Sequence, residues 1–403
     1  MRSRRVIVLA VVAASAACTL LGACASNEEA GGPSPTSPDT VPMQDAAADA
    51  ASDATDAAPC PDCEDFPTVC TPDVLCPNGP FESPDPALNL DPRTDILVIR
   101  GRGPNDVWAA GAIGAVAHFD GASWTRSDLG APDTQRAFWL RSSGEVAFGA
   151  FTGIYTRGLD FDGDADASLS PGGWSLHPSP PMPPSFSPMD QSLRSAWAAP
   201  DSDVLWIGTL GAFGGSGLWR LRCTPPTPLE FAEGIPADVC RDLRCGEILG
   251  IHGASPSALW AVGGGGATIH ILDADSEAPK AKAFNSLTTR ALRGVWAASD
   301  TDVWAVGATG TIRRYRGDPM FWEVVDGVPT TKSLNAVWGT SASDVWAVGD
   351  AAVVLHYDGH SWSRVKVAGL GALRPDLYAV WSPAPGHVWV GGKGVILSLG
   401  GKP

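Results

Sequence analysis

The hexapeptide "DVWAVG" stands at Asp302 and again at Asp344. Looser copies recur along the chain: "DVWAAG" from Asp106, "EVAFG" from Glu145, "DVLWIG" from Asp203, "ALWAVG" from Ala258 and "HVWVGG" from His387. The tryptophans of the last four copies, Trp260, Trp304, Trp346 and Trp389, are 44, 42 and 43 residues apart. A period of that length means one supersecondary unit repeated, each unit burying its apolar faces against its neighbours. Long helices do not fit the pattern, because 46 Gly and 35 Pro among 403 residues interrupt it too often.

Each unit holds a short apolar run, a polar turn, the Asp-Val-Trp run, a glycine turn, a third run ending in "HFDG" or "HYDG", and a fourth run that opens with Trp. Four short strands at this period predict a β-propeller blade. Seven copies predict an all-β, seven-bladed propeller with four-stranded blades over residues 81–400. Runs such as "VWAV" are apolar on both alternating faces, as a sheet covered on both sides requires. All sixteen Trp fall inside repeats. First strands carry Trp139, Trp197, Trp296, Trp338 and Trp381; second strands carry Trp108, Trp206 and the four named above; Trp219 is on a third strand, and Trp124, Trp174, Trp322 and Trp362 open fourth strands. These indoles are expected to pack between blades rather than to form a ligand platform. Small residues before the first indole, at Ala137, Gly250, Gly294, Ala336 and Ala379, suit strands that converge on an axis. The seventh copy stops at Leu399 after three strands. Its fourth is expected from the segment around Phe81, 17 residues before Val98, with the cysteine cluster just outside it.

With its "AVWGTSASDVWAVGD" and "LHYDGHSW" stretches, the chain resembles a family of exported bacterial tryptophan-rich β-propeller lipoproteins. The turns "YDGHSW" and "FDGASW" are also distantly similar to the Asp-box hairpin of sialidase-type propellers. The resemblance implies the fold strongly and the function weakly, since propellers host binders, scaffolds and enzymes alike.

The N-terminus supports export. "MRSRRVIVLAVVAASAACTLLGAC" has a basic start, a short apolar run and then a Cys, so residues 1–23 read as a signal peptide. "LGAC" resembles the bacterial lipobox, which implies lipidation (palmitate and related chains) at Cys24. Ala25 and Ser26 after it point, by analogy with enteric sorting, to the outer membrane, on its periplasmic face or at the cell surface. Residues 24–59 carry seven acids and no Lys, Arg or aromatic, and are expected to form a disordered acidic tether. Residues 60–80 form a Cys-rich segment. In an exported protein Cys60, Cys63, Cys70, Cys76, Cys223, Cys240 and Cys245 are disulfide candidates with at least one left unpaired; a zinc site at the first four is the competing reading.

Chemistry is sparser. A net charge of -16 argues against nucleic acid as a partner, which requires clustered Lys and Arg. Asp160, Asp162, Asp164 and Asp166 alternate with the ligand rhythm of a calcium loop. Ala165 and Pro171 stand where an EF-hand needs Gly and Glu, which leaves a looser calcium site or a solvated acidic turn. Nucleophile elbows, HExxH, Walker and GxGxxG motifs are absent from the sequence. His118 and His356 recur with the repeat, as do Asp106, Asp302 and Asp344, which are expected to satisfy backbone donors in the turn.

Function is therefore sought where the repeat is broken. Arg100 and His252 replace the first-strand Trp. At the start of that strand the copies carry Leu97, Arg136, Ser195, Leu249, Arg293, Asn335 and Tyr378. Arg136, Arg293, Asn335, Tyr378, Arg100 and His252 are the candidate binding residues at a channel mouth, suited to an anion. The resulting reading is a non-enzymatic binding or scaffold module held to the envelope membrane by its lipid and engaging a protein or acidic glycan. The alternative is a propeller-type glycoside hydrolase or lyase acting on polysaccharide.

Overall fold

The computed structural model describes residues 64–81, 85–162, 168–188, 191–211 and 215–401. Cys24, Cys60, Cys63, Asp164, Asp166 and the expected tether lie outside them. Seven four-stranded antiparallel sheets follow one another around a ring. The innermost strands are Ile96–Gly103, Ala137–Leu140, Gln191–Trp197, Ile248–Ser255, Leu292–Ser299, Leu334–Ser341 and Leu377–Ala384, and each blade runs outward from its own. The single α-helix among the described residues, Ala237–Leu243, lies in the connection between blades three and four, where Cys240 is bonded to Cys245. No helix among the described residues is long and apolar enough to cross a membrane.

The glycine of the repeat is required by close approach. A Cβ on Gly111, Gly263, Gly307 or Gly349 would lie 1.8–2.1 Å from the carbonyl oxygen just before the blade's own first strand, at Asp95, Glu247, Ala291 and Ser333 respectively. No side chain can relieve a clash with backbone, so only glycine lets the second strand end there. Neighbouring inner strands are also tightly apposed, though less so. A Cβ on Gly250 would meet Arg293 O at 3.0 Å, and one on Gly294 would meet Ala336 Cα at 3.1 Å.

The indoles join the blades. Trp124 packs edge-on against Trp389 of the seventh blade, Trp174 against Trp108, Trp322 against Trp260 and Trp362 against Trp304, with ring centroids 5.2–6.2 Å apart. In each pair a fourth-strand ring covers the second-strand ring of the blade before. First-strand indoles act likewise nearer the axis. Trp381, Trp197 and Trp296 occupy the space where Gly101, Gly253 and Gly339 of the following blade would carry a side chain.

The repeated aspartate does not bond backbone donors, as the turn chemistry suggested. Asp106 Oδ1 accepts from Trp108 Nε1 at 3.0 Å and His118 Nε2 at 2.8 Å, and Asp344 Oδ1 accepts from Trp346 Nε1 and His356 Nε2 at 3.0 and 2.7 Å. Each imidazole also stacks on its indole, at 4.3 and 4.2 Å. In blade five Arg314 replaces the histidine, lying 4.4 Å above Trp304 with both Asp302 oxygens in reach. The backbone-capping aspartates lie one turn later: Asp120 Oδ1 accepts from Ala122 and Ser123, and Asp358 Oδ1 from His360 and Ser361.

The ring is closed by the chain's own N-terminal part, but earlier than expected. Leu75–Pro77, not the segment around Phe81, is the fourth strand of blade seven, with Leu75, Cys76 and Pro77 opposite Leu399, Ser398 and Leu397. Pro80 and Pro86 lack the N–H that a ladder beside Phe81 would need. Phe81 packs instead, half-buried, against the core between blades seven and one. The cysteine cluster is thus part of the closure: Cys76 is in the strand and bonded to Cys70. On its other side Leu75 N donates to Lys366 O and Leu75 O accepts from Ala368 N, while Asp65 O accepts from Val367 N. Leu75 is wholly buried in the cluster that contains Trp346 and Phe66. Leu75→Ala should cost about 2–5 kcal/mol, read as a lowered midpoint in chemical denaturation. An unchanged midpoint would show that the ring does not depend on this strand.

Candidate functional site

Every inner strand except that of blade two has a register shift near its start, and the extra residue is thrown toward the axis: Leu97, Arg194, Leu249, Arg293, Asn335 and Tyr378. A bulge re-aims a side chain in this way. In blade two Arg136 stands just before the strand, with its N–H donating to Phe148 O. These seven residues line a narrow mouth of about 120 Å³. Blade three contributes Arg194, where the sequence reading placed Ser195. The hydroxyl of Ser195 accepts from Ile251 N at 3.1 Å.

The arginines there are not equivalent. Arg293 donates to Asn335 Oδ1 at 2.6 Å, and Asn335 Nδ2 donates in turn to Asp350 Oδ1 and Leu377 O, both at 2.9 Å. Arg136 and Arg194 have no ion pair or side-chain hydrogen bond among the described residues. The protonated form of Arg136 is disfavoured first by burial and then by Arg194, with Asp95 acting in the opposite sense. Tyr378 has its hydroxyl pKa raised, by burial first and then by Asp95, Asp376 and Asp350. The mouth is thus lined by three arginines, on blades two, three and five, while Asp95, Asp350 and Asp376 act on it from outside its lining.

At the other end the channel widens to about 550 Å³. Arg100, Ala196, His252 and Trp338 line both cavities and form the waist between them. Trp338 reaches across it: Arg100 Cζ lies 4.8 Å from its ring, and His252 meets the ring edge-on at 5.0 Å. His252 is buried, and its Nδ1 accepts from Ala297 N at 3.1 Å. Burial, helped by Arg100, pushes its pKa down to about 3. Burial also lowers Arg100, to about 10. Arg100 and His252 thus lie in the waist, below the mouth where the sequence reading had grouped them with Arg136 and Arg293.

The other candidates lie apart from the channel. Asp160 and Asp162 are exposed on either side of buried Phe161, and no group of three or more metal-ligating side chains forms among the described residues. Cys223 is buried and unpaired among the described residues, its thiol pushed up to about 11 by burial.

No family model and no curated protein matches the chain. Solved structures do match. YCF48 bound to D1 peptide aligns at TM-score 0.54 and 16% identity over 78% of this chain and 96% of that one. YCF48 from Cyanidioschyzon merolae aligns at TM-score 0.57 and 15% identity over 77% and 96%. A streptogramin B lyase aligns at TM-score 0.55 and 14% identity over 80% and 96%. The likeness is one of fold. It agrees with the seven sheets and leaves the channel residues to speak for function.

His252 ties the waist to pH. Its folded-state pKa of about 3 lies below the unfolded value near 6.5, so the unfolded chain binds the extra proton between them. The stabilisation of the neutral form is complete above pH 6.5 and is lost as pH falls toward 3, with a slope approaching about 1.4 kcal/mol per pH unit. His252→Gln keeps an acceptor for Ala297 N and should flatten the stability profile between pH 6.5 and 4.5. Parallel profiles for the two proteins in urea titrations would refute the assignment.

Proposed function

We propose that this chain is a lipid-tethered binding module of the bacterial cell envelope that holds a carboxylate-bearing partner, protein or acidic glycan, at the narrow channel mouth. The observation that carries the reading is the unpaired couple Arg136 and Arg194 in a protein of net charge -16. Two guanidiniums that act on each other and make no ion pair among the described residues, with Asp95 influencing Arg136 only beyond contact, favour an anion from outside. The bulge presents Arg194 from blade three, and the Arg293–Asn335–Asp350 chain fixes the side chains that blades five and six contribute. A propeller of this fold in YCF48 holds a peptide, which supports a protein partner.

Lyase chemistry is represented among the neighbours by the streptogramin B lyase, but the channel histidine here is a poor general base. With a pKa of about 3 and Nδ1 already accepting a backbone hydrogen bond, His252 has little affinity for a substrate proton.

The tether completes the reading. A lipid on Cys24 and the acidic segment after it would hold the propeller at the membrane while leaving it free to turn.

Two measurements test this. Arg136→Ala combined with Arg194→Ala should weaken binding of polygalacturonate or a poly-Glu peptide at low salt by about tenfold or more; equal binding by parent and variant removes the mouth as the site. Cys24→Ala should move the protein out of the membrane fraction, and retention there would refute the anchor.

A further inference from the structure

The wide chamber at the opposite end of the channel from the anion-binding mouth has a chemistry of its own. Indoles from five blades, Trp139, Trp197, Trp296, Trp338 and Trp381, together with Phe138, supply its walls. About 550 Å³ is the size of cavity that encloses a small molecule. Arg102, Ser142, Pro200 and Asp201 are exposed at its rim, so the chamber is open to solvent there.

Three arginines line the chamber, and two are held by carboxylates of the chain. Arg102 pairs with Asp106 at 2.9 Å and Glu145 at 2.7 Å and also donates to Arg141 O. Arg141 pairs with Asp203 and donates to Cys223 O, both at 2.6 Å, while covering the Trp139 ring. Arg100 differs. It stands at the inner end, and its hydrogen bonding among the described residues is one contact of 2.8 Å to Ile99 O. A guanidinium has five N–H donors and stays charged at neutral pH, so most of its donors face the channel without a protein acceptor. The Trp338 face meets part of the charge at 4.8 Å. No carboxylate among the described residues pairs with it. Six apolar or aromatic walls closed at one end by a forked cation fit one kind of guest: an aromatic body that ends in a carboxylate, which a guanidinium takes through two parallel hydrogen bonds.

We infer that the wide chamber is a binding site for a small aromatic carboxylate, seated with its ring among the channel indoles and its carboxylate on Arg100. Its walls are distinct from the narrow mouth, which Arg136 and Arg194 line, and the two meet at the waist, where Arg100 closes the chamber. Trp338 would report it directly, because its ring lies between Arg100 and His252 at the place where the carboxylate arrives.

Calorimetric titration of the full chain with 3-(2-naphthyl)propanoate and with its primary amide, followed also by tryptophan fluorescence, tests the assignment. The acid should bind about tenfold or more tightly than the amide. Arg100→Gln should reduce the acid's affinity to that of the amide. Ser142→Trp, a change at the exposed rim that leaves the packed walls alone, should weaken both ligands. Arg136→Ala with Arg194→Ala should change neither, which separates this site from the narrow mouth. Absence of binding by the acid at millimolar concentration, equal affinity for acid and amide, or a loss that follows Arg136 and Arg194 instead of Arg100 would each overturn it.

Discussion

Indole rings laid across the boundary between neighbouring blades are the contact on which the rest of this protein depends. A single four-stranded blade cannot enclose a core, and the buried clusters here lie between neighbouring blades. Four of the second-strand tryptophans, Trp108, Trp260, Trp304 and Trp389, are finished by a ring from the following blade, as Trp108 is by Trp174 and Trp304 by Trp362. The requirement reaches backward into the sequence. Gly101, Gly253 and Gly339 are glycines because an indole of the preceding blade already fills the place of their side chains. The Asp, Trp and His of one hairpin then lock the ring's tilt through a carboxylate oxygen shared between two N–H donors. Where the aspartate is missing the lock is incomplete. Blade four has Ala258 at that position, and His270, although stacked on Trp260, leaves its Nε2 without a partner among the described residues.

A repeat that is satisfied by packing has no chemistry to spare, so function is confined to its exceptions. Two positions of the inner ring that could have held a sixth and a seventh tryptophan hold Arg100 and His252 instead. Their consequence is geometric as well as electrostatic. With smaller or more flexible groups on blades one and four, Trp338 of blade six leans across the axis and turns a continuous channel into two compartments of unlike size and polarity.

Much of this was legible in the order of residues. The period, the blade count, the position of every tryptophan and the central placement of Arg100, Arg136, His252, Arg293, Asn335 and Tyr378 could be read directly, because strand periodicity and blade period are local properties. Registration was harder. "LRSAW" in blade three aligns position for position with "LRGVW" in blade five, sharing Leu, Arg and Trp, and sets Arg194 against Arg293; in blade three the two tryptophans are nine residues apart, Trp197 to Trp206, against eight in blade five, so counting back from the second one falls on Ser195. The closing strand was harder again. Leu75–Pro77 has no aromatic to announce it and works through partners more than 300 residues away. The role of the repeated aspartate was misread for a related reason. Its donors, an indole two residues on and an imidazole twelve residues on, are brought to it by the hairpin, and spacing along one strand does not reveal them.

The way the ring is shut has a mechanical side. A load entering the propeller through the residues before Asp65 meets first the bond from Val367 N to Asp65 O and the pairing of Asp65 with Arg364 on the blade-six side. It then reaches Cys70 and crosses the disulfide straight to Cys76 in the middle of the closing strand. Residues 71–75 are bypassed. Leu75, whose burial seals blade seven to blade six, is therefore shielded from tension by a covalent strut while the disulfide is intact, and a reductant would place it directly in the load path.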